Sequence, residues 1–327
     1  MSCCCVGDEV MSKGRPPQRN QKSSQKGGQK GSQRSDQKGG QNSGQPGKGN
    51  RSSQGGKSTG HKSRNRGGGG PPQRSRAQKL GLGGDQVEGR HAVRELLLGG
   101  SRRVREIMII DDMDNADILD DISELAFEMK VPLKALPRRR FETEALTESH
   151  QGVIARAAPL PETPLEDLAA KRGAHLLVLD GVTDPGNLGA ILRTAECAGV
   201  TGVVLSKHRS VHISPTVTKT AAGAVEYLPM AVVGGIPTAI ARLNDLGVLT
   251  VGLDMGGDTS IFELPLDKDQ PVALVLGAEG KGLSRLVRER VSVLSSIPMR
   301  GRLNSLNVAM AGAVGMFEVV RRREAAG

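Results

Sequence analysis

Aromatic residues are scarce in this chain of 327 residues, which contains four Phe, one Tyr and no Trp. Proteins that bind single-stranded nucleic acid commonly stack several bases on aromatic rings. The composition therefore disfavours a nucleic-acid surface that depends on several such rings. Any contact with RNA must rely mainly on charged and hydrogen-bonding side chains.

Cysteines and long apolar runs are also few. Cys3, Cys4 and Cys5 are adjacent near the N-terminus, and Cys197 falls in a predicted helix. This spacing matches neither a zinc site nor a disulfide framework, so we expect no metal and a reducing compartment. No apolar run is long enough for a signal peptide or a membrane span. These features predict a cytoplasmic protein with no membrane partner.

Apolar residues are almost missing from residues 15–78, where Gly, Gln, Ser, Lys and Arg dominate. A Gln followed by Lys or Arg recurs every four residues, at Gln21, Gln25, Gln29, Gln33 and Gln37. Such a segment buries too little surface to offset its conformational entropy. Residues 1–84 are therefore predicted to form a disordered basic tail.

The positive charge is concentrated in this tail. Of the chain's net charge of +10, residues 1–79 carry +14, which leaves −4 for residues 80–327. Clustered Lys and Arg neutralise phosphates without any fixed structure. The tail is thus either a salt-sensitive tether to RNA or a solubilising extension, attached to a mildly acidic folded part.

Residues 86–158 alternate short strands and helices. Helical patterns cover 89–100, ended by two glycines, and 115–130; strand patterns cover 104–110, 131–136 and 151–158. This alternation predicts a small α/β domain. Residues 159–173, rich in proline, are predicted to be a linker with a short helix.

Residues 174–325 predict a second α/β domain. Mostly apolar strands are expected at 176–180, 201–206, 248–253, 272–277 and 292–297. Helices are expected near 187–198, 236–246, 283–290 and 305–323. Strands that are apolar on both faces and alternate with helices indicate a parallel sheet. Ligand-binding loops of such sheets cluster at the carboxyl ends of the strands.

Three segments at these ends combine glycines with polar residues. "DPGNLGAILR" contains Asn187 and Arg193 and lacks the G-x-G-x-x-G pattern, which disfavours a dinucleotide-dependent oxidoreductase. "LGAEGKGLS" contains Glu279. "IPMRGRLNSLNVAMAGAVGMFE" contains Ser305 and Asn307, followed by a run of Ala and Gly that predicts a closely packed helix.

In this order, the three segments resemble the three motifs of the SpoU, or TrmH-like, RNA 2′-O-ribose methyltransferases of the SPOUT class. "VEGRHAVRELL", which includes His91 as a candidate RNA contact, and "HQGVIARAAP" resemble the start and end of this family's small substrate-binding domain. The resemblance covers about residues 86–325. It is closest to the branch that methylates a guanosine ribose in 23S ribosomal RNA.

The resemblance implies a trefoil knot in the C-terminal domain and a homodimer with the active site near the subunit contact. It implies S-adenosylmethionine as the cofactor, bound at the positions of Gly277, Ile297, Met299 and Leu306. The catalytic positions that it implies are Arg193, Asn187, Glu279, Ser305 and Asn307.

The chemistry of these side chains suits the implied reaction. Arg193 aligns with the family's catalytic arginine, but a guanidinium group is a poor base because it remains charged in proteins. We therefore assign it electrostatic stabilisation of the developing alkoxide and of a phosphate. Asn187 and Asn307 can both donate and accept, as ribose hydroxyls require. The Glu279 carboxylate is expected either to orient Arg193 or to receive the proton.

Each of these residues also has a purely structural interpretation. Asn187 is a residue type that caps helices or forms Asx-turns. Glu279 would cap the helix after it, and Ser305 and Asn307 would cap the last helix. Arg193 would be a solvated charge on a helix. The joint occurrence of all three motifs favours the functional interpretation.

Two further segments are candidate RNA contacts. Lys219 and Thr220 lie in "SPTVTKTAAGAVEYLP", which resembles a stretch near the family's active site. Arg138, Arg139 and Arg140 form a basic cluster on the acidic part of the chain. The expected partner is ribosomal RNA, either free or in a ribosome precursor. The alternatives are a transfer-RNA substrate and a non-catalytic RNA-binding protein with the same fold.

Overall fold

The computed structural model describes residues 81–112, 116–207 and 212–326. These residues form one compact unit with two α/β sheets. No helix within these ranges is long and apolar enough to cross a membrane.

The predicted boundary of the basic tail at residue 84 lies too far along the chain. Leu82 is buried, and Gly83 forms a parallel bridge with Ile213. The amide of Gly84 donates to the carbonyl of Ile213 at 2.8 Å. Residues 81–84 are thus part of the packed unit, and the rest of the predicted tail lies outside the described residues.

The smaller sheet has four strands in the order β1-β4-β2-β3. The strands are β1 (Gln86–Glu88), β2 (Val104–Ile110), β3 (Leu133–Leu136) and β4 (Val153–Ala157). Strand β4 is antiparallel to β1 and β2, whereas β3 is parallel to β2. The helices are α1 (Arg90–Gly99), α2 (Asp117–Glu128) and α3 (Arg138–Glu144). The predicted helices and strands are confirmed; β1 and α3 were not predicted.

The larger sheet has seven strands, and every neighbouring pair is parallel, as predicted. Its strands are β5 (His175–Asp180), β6 (Gly202–Ser206), β7 (Met230–Val233), β8 (Leu249–Leu253), β9 (Thr259–Ser260), β10 (Val272–Gly277) and β11 (Val293–Ser296). Their order is β7-β6-β5-β10-β8-β11-β9. All five predicted strands are confirmed; β7 and β9 are additional.

Six helices and two short 3₁₀ turns accompany the larger sheet in the described residues. The helices are α4 (Leu165–Ala169), α5 (Pro185–Cys197), α6 (Pro215–Thr220), α7 (Ile236–Asp245), α8 (Arg285–Arg290) and α9 (Val308–Ala325). The 3₁₀ turns are Ala224–Glu226 and Ile261–Glu263. The four helices predicted in this part of the chain are confirmed, with α6 as an addition.

The small residues of α9 allow it to lie directly on the larger sheet. A Cβ on Gly312 would come within 2.7 Å of Cδ1 of Leu276, and one on Gly315 within 2.8 Å of Leu253 and Leu274. A larger side chain at either position would therefore push the helix away from β8 and β10. The glycines, which lower helix propensity by about 1 kcal/mol each, are explained by this contact.

A buried ion pair joins the smaller sheet to the larger one. Nη2 of Arg102 lies 2.6 Å from Oε1 of Glu226, and Nε lies 2.9 Å from Oε2. The two side chains are 2% and 1% exposed. Nη1 of Arg102 also donates to the carbonyls of Gly84 and Ala158. Because a buried charge is tolerated only when it is paired and hydrogen-bonded, this pair fixes the junction of the two sheets.

Candidate active site

The three predicted loops meet at the carboxyl ends of β5 and β10. Nδ2 of Asn187 donates to Oε1 of Glu279. Nδ2 of Asn307 donates to Oδ1 of Asn187 at 3.0 Å. Residues separated by about 90 and 120 positions in the sequence are thus joined by direct hydrogen bonds. The structure brings together one polar side chain from each of the three motifs.

The N-cap of α9 determines which group donates and which accepts in each hydrogen bond of this network. Asn307 is the N-cap of that helix, and its Oδ1 accepts from the amides of Ala309, at 2.8 Å, and Met310. With its oxygen engaged, Asn307 presents its NH₂ group to Asn187. Asn187 must then accept through its oxygen and donate through its own NH₂ group to Glu279. The carboxylate of Glu279 is the acceptor at the end of the network.

The structure shows which of these residues cap helices and which do not. Asp184, rather than Asn187, caps α5, and its Oδ1 accepts from the amide of Asn187 at 2.7 Å. Ser284 is the N-cap residue of α8, and Glu279 does not cap that helix. Asn307 both caps α9 and joins the network. The side chains of Asn187 and Glu279 are therefore available for contacts between loops.

Two acidic residues that the sequence analysis missed hold the loops in place. Oδ2 of Asp180, at the end of β5, accepts from the amide of Ser284 at 2.8 Å. Asp254, directly after β8, accepts from the amide of Gly256 at 2.9 Å and lies 2.6 Å from Nη2 of Arg288. Both aspartates terminate predicted strands, and this position was the available sequence signal.

The loop after β10 folds back tightly on itself. Ala278 and Gly282 exchange backbone hydrogen bonds of 3.0 and 2.9 Å. A Cβ on Gly277 would lie 2.2 Å from the carbonyl carbon of Gly282, so no side chain fits there. Gly280 and Gly282 have φ angles of 71° and 64°, in the left-handed region that favours glycine. The glycines thus allow the chain to turn back tightly at the end of the strand.

The predicted cofactor positions of the third motif lie on an accessible segment. Met299 and Leu306 are 36% and 44% exposed, and Ser305 is also exposed. Ile297 packs partly against the core of the larger sheet. The side chain of Ser305 forms no hydrogen bond with the described residues, unlike that of Asn307. Within the described residues, Asn307 is the residue of this segment that hydrogen-bonds to the network.

Arg193 does not join the network. Its side chain is exposed and has no ion pair or hydrogen bond within the described ranges. Residues six apart on a helix lie about 120° apart around its axis, so Arg193 and Asn187 occupy different faces of α5. The structure leaves the guanidinium on an open surface.

The candidate RNA contacts occupy two places. Arg138, Arg139 and Arg140 are exposed on the first turn of α3, which is anchored by the buried ring of Phe141. Lys219 and Thr220 end α6, between α5 and the smaller sheet.

Thr220 packs closely against α5. A Cβ on Gly189 would lie 2.5 Å from Cβ of Thr220. The hydroxyl of Thr220 donates to the carbonyl of Thr216 at 2.9 Å. Gly189 therefore permits contact between two helices, which is a structural role, and Thr220 contributes to that contact.

Sequence comparisons match two segments of the chain to models of known protein families. Residues 174–317 match the model of the SpoU rRNA Methylase family, and residues 86–163 match that described as RNA 2′-O ribose methyltransferase substrate binding. The 23S rRNA (guanosine-2′-O-)-methyltransferase RlmB of Pseudomonas putida is 38% identical over 73% of this chain and 97% of its own length. The corresponding protein of Haemophilus influenzae is 38% identical over 73% and 98%.

Solved structures have the same fold. The AdoMet-bound rRNA methyltransferase from Sinorhizobium meliloti aligns with a TM-score of 0.60 and 25% identity, covering 72% of this chain and 87% of that one. The SpoU methyltransferase AviRb from Streptomyces viridochromogenes, in complex with AdoMet, aligns with a TM-score of 0.63 and 24% identity, covering 74% and 91%. The ordered motifs, the fold and these relatives agree, and the chain belongs to the SpoU rRNA methylase family.

Proposed function

We propose that this protein transfers the methyl group of S-adenosylmethionine to the 2′-hydroxyl of a guanosine ribose in 23S ribosomal RNA. The observation that supports this most directly is the hydrogen-bonded network of Asn187, Glu279 and Asn307. It unites the three family motifs at the ligand-binding edge of a parallel sheet. The RlmB relatives, which align over nearly their whole length, carry out the reaction that this network suits.

The loops that follow β8 and β10 have the features required to hold the cofactor. Gly277 packs so closely against the backbone of Gly282 and Leu283 that no Cβ fits there, which fixes the path of the loop after β10. Asp254 ties the loop after β8 to α8 through its ion pair with Arg288. In the segment after β11, Met299 and Leu306 provide exposed apolar surface for the adenosine of the cofactor. When bound, S-adenosylmethionine supplies an electrophilic methyl group.

The chain's own residues must position the ribose and accept its proton. We assign the first task to Asn187 and Asn307, whose amides are oriented by the cap of α9. Glu279 ends the network as an acceptor and is the proposed destination of the hydroxyl proton. The positively charged guanidinium of Arg193 is exposed and free to bind a phosphate of the RNA backbone.

Three further features belong to this proposal. The C-terminal segment would form a trefoil knot, supported by the return of α9 from the far side of β8 onto β10. A second copy of the chain would cover the apolar surface of Leu303, Met310 and Phe317, which are 81%, 57% and 48% exposed. A ribosomal RNA substrate would place the protein in the cytoplasm.

A methyl-transfer assay tests the proposal. It combines purified protein with labelled S-adenosylmethionine and unmodified transcripts of 23S ribosomal RNA. We expect methylation of a guanosine ribose in the 23S transcript and none in a transfer-RNA pool. Arg193→Ala and Asn187→Ala should each lower the rate about 100-fold, because a ribose that loses its phosphate anchor or its orienting amide is misplaced for methyl transfer. Methylation of transfer RNA alone would contradict the substrate assignment, and full activity of both variants would contradict the site.

A further inference from the structure

The smaller sheet has a cleft of its own, separate from the three-loop site. It lies at the end of β2, beside the first turns of α1 and α3, and has a volume of about 620 Å³. Pockets for small ligands typically measure about 300–1,000 Å³, so the cleft is large enough for a single nucleotide. Ile110 and Ile118 supply its apolar lining, and polar side chains supply the rest.

Two planar side chains of the cleft are held in fixed positions. Nε of Arg90 donates to the carbonyl of Gln151 at 3.2 Å, while Oε1 of Gln151 accepts from the amide of Arg90 at 3.1 Å. Nδ1 of His150 accepts from the amide of Gly152 at 3.0 Å, and its ring packs 4.9 Å from that of Phe141. Unstacked RNA bases commonly stack on histidine rings and arginine guanidinium planes.

The charged groups of the cleft suit a base better than a phosphate. Arg138 lies 3.2 Å from Asp112, and Glu148 is a second carboxylate on the lining. The ion pair offsets the charge of Arg138, and both carboxylates can accept hydrogen bonds from the amino and imino groups of a base. His91 is exposed on the same lining and has no hydrogen-bond partner among the residues that the structure describes. The cleft thus offers both donors and acceptors.

A continuous series of contacts connects this cleft to the three-loop site. Gly189, two residues after Asn187 in α5, packs against Thr220 of α6. The adjacent Lys219 lies over Gly89, with its Cγ 3.4 Å from the Cβ position of that glycine. Arg90, the next residue in the chain after Gly89, lines the cleft. One RNA strand could therefore contact both sites, with Lys219 between them.

From this arrangement we propose that the cleft binds an unpaired nucleotide of the RNA substrate, distinct from the nucleotide that is methylated. The inference rests on the proposed function and adds a second point of recognition to it. Arg90 and His150 stack on the base, while His91, Arg138 and the two carboxylates contact its edge. The methylated ribose and this second nucleotide together define which RNA is selected.

The double variant His91→Ala/Arg138→Ala tests the inference in the full-length protein. Filter binding measures its affinity for an unmodified 23S transcript and for a fully paired RNA duplex at the same salt concentration. We expect about tenfold weaker binding to the transcript, in keeping with the loss of contacts to one base, and less than twofold weaker binding to the duplex. In methyl transfer, KM for the transcript should rise while kcat and the affinity for S-adenosylmethionine stay unchanged.

Arg105→Ala is the matched control, because Arg105 is an exposed arginine on β2 that does not line the cleft. Its affinity for the transcript should stay within twofold of wild type. Unchanged transcript binding by the double variant, or an equal loss on the duplex, would overturn the inference, the latter by indicating a phosphate contact. Binding of the transcript by wild-type protein without methylation would instead refute the proposed function, and the affinity comparison would still test the cleft.

Discussion

At the scale of single residues, Asn307 combines two tasks that a substitution can separate. Its Oδ1 caps α9, and its Nδ2 donates to Asn187. Aspartate caps helices as well as asparagine does but cannot donate. We therefore expect Asn307→Asp to lower the rate of methyl transfer about 100-fold, with the free energy of unfolding changed by less than about 0.5 kcal/mol. Transfer assays and urea unfolding measure the two quantities.

Asn307→Ala is the control for the cap. It removes both contacts, so it should lose the same activity and, in addition, about 1 kcal/mol of unfolding free energy. A fully active Asn307→Asp variant would show that the hydrogen bond to Asn187 is not needed for the reaction.

The residues of the network were predictable, but their connections were not. Glu279 follows a predicted strand, and Asn187 and Asn307 lie in the first turns of predicted helices that follow strands, so their convergence at one edge of a parallel sheet could be expected. Arg193 follows Asn187 by six residues, and this spacing on a helix already places the two on different faces. The motif by itself does not indicate this difference. Asp180 and Asp254 were missed because a carboxylate that binds main-chain amides has no characteristic spacing in the sequence.

At the scale of elements, burial explains what could be predicted. Four of the five predicted strands of the larger sheet are mostly apolar and largely buried, whereas β11 (VLSS) is only partly buried. The missed strands are short: β7 has four residues and β9 has two. Helix α6, "PTVTKT", consists largely of β-branched residues with low helix propensity. It forms because Ser214 caps it and Val217 is buried, and the burial depends on tertiary contacts.

A substitution in the loop after β10 tests whether cofactor binding depends on the backbone geometry of this loop. In Gly277→Ala, the new Cβ would meet main-chain atoms of Gly282 and Leu283 at 2.2–2.4 Å, so the backbone must move. Because this loop is the proposed cofactor cradle, we expect the Kd for S-adenosylmethionine to rise more than about tenfold. Calorimetry measures the affinity directly.

Gly280→Ala in the same loop provides the comparison. The space around Gly280 is open, but its φ of 71° is left-handed. This variant should lose about 1–2 kcal/mol of unfolding free energy with a smaller change in cofactor affinity than Gly277→Ala. Wild-type affinity in Gly277→Ala would mean that the cofactor does not depend on this loop.

At the scale of the whole molecule, the ion pair between Arg102 and Glu226 holds the two sheets together. Arg102→Met leaves the Glu226 carboxylate buried without its partner, which typically costs about 3–5 kcal/mol of unfolding free energy. Adding Glu226→Leu should restore part of this loss. The restoration stays incomplete because the carbonyls of Gly84 and Ala158 have lost the Arg102 donor.

Urea unfolding measures these differences, and an exposed pair provides the control. The side chains of Arg172 and Asp269 are 84% and 55% exposed at a separation of 2.7 Å. Arg172→Met should therefore change the unfolding free energy by less than about 1 kcal/mol. If Arg102→Met costs no more than Arg172→Met, the buried pair does not stabilise the junction.

The strongest charge asymmetry of the molecule separates its N-terminal segment from the rest. Residues 1–79 hold 17 Lys and Arg against 3 Asp and Glu, whereas residues 80–327 are net negative. Each phosphate that a cation neutralises adds about 0.7–0.9 to the slope of log affinity against log salt. Deleting residues 1–79 should therefore weaken binding to the 23S transcript and make this slope shallower.

A segment of the same length with every Lys and Arg changed to Gln should match the deletion, because charge and not chain length supplies the affinity. An unchanged slope in either variant would show that the segment takes no part in RNA binding.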